Sequence, residues 1–139
     1  MAVTYGDIAR AFPPGQPWID AVPGCPPEII QIERDFRGRS WPEVTTAVCN
    51  SHSDAFHMLD LEPLVYFLPS FLRASVSDPN WVAAESLVYF VCSGHAHELY
   101  LRLTNEQRDA MVGVVAWLLT HDDGYFASGE QEQFVTRLV

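Results

Sequence analysis

Lysine is absent from this chain of 139 residues, and its eight arginines face eighteen acidic side chains, leaving a formal charge of −10. A field of that sign repels nucleic acid and anionic membrane and attracts basic partners, so direct phosphate binding is not expected. Cysteine is scarce: Cys25, Cys49 and Cys92 are odd in number, widely separated and without a CxxC pair. Neither a disulfide framework nor a thiolate zinc site is signalled, and a reducing cytoplasm suits them. No stretch approaches the ~20 apolar residues of a membrane helix, and the opening MAVTYGDIARAF lacks the uninterrupted apolar run of a signal peptide. The signatures GxSxG, HExxH and the phosphate-binding glycine loop are missing as well.

What is present is apolar and aromatic. With 48% hydrophobic, 12% aromatic and 19% charged residues, the composition is that of one globular domain, expected over 1–139. Periodicity is helical throughout, and no alternating strand stands out. The fold class expected is all-α, an irregular array of six to eight short helices around one core.

Tyr5, Ile8, Ala9 and Phe12 fall at helical spacing behind a Thr4 cap. Residues 13–27 hold six of the ten prolines and read as a loop pinned by Trp18. Ile29, Ile30, Ile32 and Phe36 resume the helical period until Gly38. Ser40-Trp41-Pro42-Glu43 reads as a capping box that opens a helix to Cys49. Asp60 should cap a helix with Leu61, Leu64, Val65, Leu68, Leu72 and Val76 on one face, kinked or broken near Phe67 by Pro69. Asp78-Pro79 begins another helix with Trp81, Ala84, Leu87, Val88 and Val91 inward, and His95 to Leu103 adds a turn or two. Thr104 and Gln107 form a second capping box for a helix to His121, whose uncharged stretch 110–119 points to the centre of the bundle. Phe134, Val135 and Leu138 suggest a last helix over 128–139.

Several groups carry chemistry in principle. Cys92, His95 and His97 cluster and would need Glu98, His52 or His57 to complete a zinc tetrahedron, but their spacing matches no standard ligand pattern. A thiol hydrolase would pair Cys49 or Cys92 with His52, His57 or His97 and use Asp54 as orienter, although sequence neighbours rarely point at one another. The acidic turn fails as a calcium loop because Leu119 would occupy the first ligand position. Asp122, Asp123, Glu130 and Glu132 instead form a negative corner, and Trp18 opens a candidate partner surface that extends to Pro23.

At Trp41, His52-Ser53-Asp54-Ala55-Phe56, Leu64-Val65-Tyr66-Phe67-Leu68-Pro69-Ser70-Phe71-Leu72 and Leu103-Thr104-Asn105-Glu106-Gln107-Arg108, the chain resembles a family of small bacterial proteins known only as a domain of unknown function. The resemblance covers roughly Ile29 to Leu119; it implies an all-α fold and brings no activity, cofactor or catalytic residue. The leading expectation is a non-enzymatic acidic protein-binding module, similar in character to immunity or antitoxin proteins that neutralise a basic partner. The alternative is a small metal-dependent or thiol hydrolase built on Cys92, His95 and His97, and self-association is a third reading.

Overall fold

Apolar residues recurring every three to four positions, with capping side chains between them, produce helices alone. The computed structural model describes residues 3–18, 28–53, 59–79, 82–92 and 96–121, and within these the chain is all-α, with no strand. The seven α-helices among the described residues are α1 (Tyr5–Ala11), α2 (Glu28–Phe36), α3 (Thr46–Ser51), α4 (Leu61–Ser77), α5 (Val82–Cys92), α6 (His97–Arg102) and α7 (Asn105–His121), with a 3-10 turn at Trp41–Glu43. The sequence segments from 128 onward lie outside the described residues.

Local chemistry sets most of the boundaries. Thr4 Oγ1 accepts from the Asp7 amide at 3.2 Å while Asp7 Oδ2 accepts from the Thr4 amide at 2.9 Å, so two unpaired donors at the start of α1 are met reciprocally. The Thr104–Gln107 box opens α7 in the same way, at 3.2 and 3.0 Å. Gly38 ends the turn after α2 at φ +83°, a left-handed conformation that favours glycine. In the third instance the outcome differs from expectation. Glu43 Oε1 accepts from the Ser40 amide at 2.9 Å and from its hydroxyl at 2.7 Å, but the helix stops after one 3-10 turn. Val44 is extended, and Thr45 caps a separate α3 by accepting from the Val48 amide at 3.2 Å. Residues 44–46 are Val-Thr-Thr, three β-branched side chains in succession, which weakens the helix at the point where it is interrupted.

Helix α4 is the axis of the fold. It packs against α1, the 3-10 turn, α3, α5, α6 and α7, and from Pro63 to Val76 none of its residues is exposed. Sequence reasoning put α7 at the centre; α7 instead lies beside α1, α4 and α5 and leaves Asp109, Ala116 and Thr120 in solvent. Nor does Pro69 split α4, which runs unbroken over 17 residues. Proline there removes one intrahelical bond, a loss of about 3 kcal/mol in an isolated helix. Burial of Phe67, Leu68, Phe71 and Leu72, all fully covered, outweighs it. Asp78 closes α4 through its amide bond to the Ala74 carbonyl, and residues 80 and 81, between Pro79 and the described span of α5, lie outside the described residues. Asn50 reaches over from α3 to the first turn of α5, its Oδ1 accepting from the Ala83 amide at 3.1 Å.

Around the axis sits an aromatic layer. Phe36 from α2 stands edge-on to Phe67 at 5.0 Å and stacks on Phe71 at 6.0 Å. Trp41 is buried, donating its indole N–H to the Phe12 carbonyl at 2.9 Å, while its own carbonyl accepts from the Ser70 hydroxyl at 2.7 Å. Ser70 is thus a satisfied buried polar group. Tyr5, expected on the inner stripe of α1, is half exposed and lies over Trp41 and the guanidinium of Arg73.

Candidate functional site

Of the cluster Cys92, His95 and His97, two members fall among the described residues. Cys92 is buried at the end of α5, whereas His97 is exposed on the first turn of α6, and His95 lies outside the described residues. Among the described residues, no group of three or more His, Cys, Asp or Glu side chains is arranged to hold a metal ion. A nucleophilic thiol does not follow from this placement either. Cys49 has no exposed surface, and burial pushes its thiol up to about 12 despite the nearby positive charge of Arg73, so it stays protonated at neutral pH.

The pairing that does form was not legible in the sequence. His52 closes α3, its amide bonding to the carbonyls of Val48 and Cys49, and its Nε2 donates to Asp35 Oδ2 at 2.6 Å. The ring is nearly enclosed, with Phe36 edge-on at 5.6 Å. Asp54, the orienter expected for a thiol hydrolase, lies outside the described residues; the carboxylate that meets His52 comes from α2. The hydrogen bond from His52 holds the Asp35 carboxyl below its ordinary value of 3.8, with the charges of His52 and Arg34 adding to the effect and burial opposing it. An imidazole held by a carboxylate is half of an acid–base device, but the neighbouring sulfur is sealed in the core. The dyad acts as a staple between α2 and α3.

This staple has a pH signature. A carboxyl whose folded value is depressed contributes stability that is complete above its ordinary value and disappears as pH falls through the depressed one. Asp35→Asn is therefore expected to lower unfolding free energy by about 1 kcal/mol at pH 7 and to match the parent chain near pH 2. Denaturant titrations at the two pH values check this; an equal loss at both would separate the staple from ionisation of Asp35.

Trp18 is half-buried and firmly placed. Its amide donates to the Arg39 carbonyl at 3.0 Å, its carbonyl accepts from the Gly38 amide, and its ring packs on Tyr66 at 5.3 Å and Phe67 at 6.4 Å. Tyr66 in turn donates its hydroxyl proton to the Gln16 carbonyl. The described part of the loop, residues 13–18, is thus pinned to α4 through Trp18, and the indole N–H is buried without an acceptor among the described residues. Asp122, Asp123, Glu130 and Glu132, the acidic corner, lie outside the described residues.

Arg73 binds the carbonyls of Pro42, at 3.0 Å, and Val44, and lies 5.7 Å from the ring centres of both Tyr5 and Trp41. No carboxylate pairs with it among the described residues, so its charge is delocalised over two aromatic faces and two peptide dipoles. At the α6–α7 turn, Arg108 bends back to donate to the Tyr100 carbonyl at 2.7 Å and lies over the Tyr100 ring. Arg102 pairs with Glu62 of α4. Glu98, Glu106 and Asp109 remain exposed on α6 and α7 with no ion pair among the described residues. No helix among the described residues is long and apolar enough to cross a membrane. Searches against protein-family models, curated proteins and solved structures give no match to this chain.

Proposed function

We propose that the chain is a non-enzymatic protein-binding module whose acidic surface holds a basic partner, with an immunity- or antitoxin-like protein as its most concrete form. The observation that supports this reading is the uncompensated charge. The chain carries a formal charge of −10, and Glu98, Glu106 and Asp109 project from α6 and α7 while the arginines of that region are engaged elsewhere. Such a surface accelerates encounter with a cationic protein and discriminates against acidic ones. Trp18 and the acidic corner at Asp122, Asp123, Glu130 and Glu132 extend the proposed contact set.

The test is capture on the immobilised full chain from a lysate of its own cells at low ionic strength, followed by elution with salt at about 0.5 M and mass spectrometry. A stoichiometric basic protein released by salt, and retained less by the double variant Glu106→Gln with Asp109→Asn, is the expected result. Capture of nothing basic, or of a partner indifferent to both salt and the double substitution, would sink the reading.

A further inference from the structure

Helix α2 presents Ile30, Glu33, Arg34 and Arg37 at spacings of three and four residues, which places them on one outer face. Ile30 is 69% exposed, more than any other large apolar side chain among the described residues, and the four line an open depression of about 510 Å³. The inward face of α2 carries Ile32 and Phe36, both buried. The charges on the outer face are mixed. Glu33 bonds Arg37 at 2.7 Å, and Arg34 Nε lies 3.6 Å from Asp35.

On a chain of charge −10, most of the surface repels a second copy. The segment 33–39 is different, since it carries three of the eight arginines, Arg34, Arg37 and Arg39, against Glu33 and Asp35. Its order of charges is also self-complementary. We infer that the outer face of α2 is an isologous contact through which two copies of this chain associate. Two antiparallel α2 helices, related by a twofold axis midway between Glu33 and Arg34, set each Glu33 opposite the second copy's Arg34. The same axis lays the aliphatic stem of each Arg37 over the second copy's Ile30, covering the apolar side chain while the guanidinium stays in water. Arg37 is reached because its amide continues the helix by bonding to the Glu33 carbonyl at 2.9 Å. The face is one helix of nine residues, so the association is weak, with a dissociation constant on the order of 0.1 mM.

Sedimentation equilibrium up to about 1 mM protein, with amide chemical shifts followed over the same range, tests the contact. The expected result is a monomer–dimer equilibrium with concentration-dependent shifts centred on residues 30–37. Ile30→Asp abolishes it, and Arg34→Glu alone weakens it about tenfold because each Glu33 then meets a glutamate. Reversing both charges, Glu33→Arg with Arg34→Glu, restores it, a rescue that general loss of stability would not give. Unchanged thermal midpoints show that these surface variants remain folded. A monomer at every concentration would overturn the inference and leave the stripe to a foreign partner. So would self-association indifferent to Ile30→Asp, or a double charge reversal that fails to rescue.

Discussion

Trp41→Ala is expected to remove about 4 kcal/mol from the unfolding free energy, a large fraction of the margin of a domain this size. Three losses combine. The indole is 2% exposed, so its removal returns a large apolar area to water and leaves a cavity beneath α1 and α4. The Phe12 carbonyl, bonded to the indole N–H at 2.9 Å, is left without its buried donor. Arg73 loses one of the two rings against which its guanidinium rests, and with it part of what holds it over the Pro42 and Val44 carbonyls. Trp41→Phe separates these contributions, because it keeps most of the burial and deletes the N–H, for a loss of about 1–2 kcal/mol. Urea titrations of the two variants measure both. A loss below about 2 kcal/mol for the alanine variant would mean that the 3-10 turn detaches without consequence for the rest of the core.

How far the sequence spoke for the structure depended on how local the cause was. The cap at Thr4 and the box at Thr104–Gln107 act within four residues, and both were legible as letters before they were visible as hydrogen bonds, whereas the returning bond from the Thr4 amide to Asp7 was not foreseen. Pro69 and the interruption after Glu43 were misread for opposite reasons. Propensity argued for a break at Pro69, and the fully buried neighbours Leu68 and Ser70 overrode it. A good capping signal argued for a continuous helix after Ser40, and the β-branched run at 44–46 stopped it. The identity of the central helix was also hidden, since α7 lacks charge over 110–119 yet it is α4, with Glu62 and Arg73 in it, that is surrounded. Absence of charge marks a helix that tolerates burial, not the one that receives it. The dyad of Asp35 and His52 was beyond reach because its partners stand 17 positions apart on different helices. Only the polarity of Asp35 beside a core phenylalanine hinted that its side chain had a task.

Phe36→Ala is the sharpest test of how α2 is held, with an expected cost of about 4 kcal/mol. Phe36 has no exposed surface and joins three rings, Phe67 edge-on, Phe71 in a stack and His52 at its rim. Apart from it, α2 is anchored by Ile32, by the bond from His52 to Asp35 and by the Gly38 amide bond to the Trp18 carbonyl that follows the helix. Helices of nine residues are marginal in water, so without the docking of Phe36 the helix itself loses its reason to form. The expected pattern is therefore uneven. Hydrogen exchange in Phe36→Ala should accelerate first at the amides of 31–38, while those of α4 stay protected up to the reduced global free energy. Asp35→Asn should move the same amides by a smaller amount, because it cuts the staple and leaves the ring in place. If α2 and α4 instead lose protection together, the aromatic layer behaves as one cooperative unit, and α2 belongs to the core rather than resting on it.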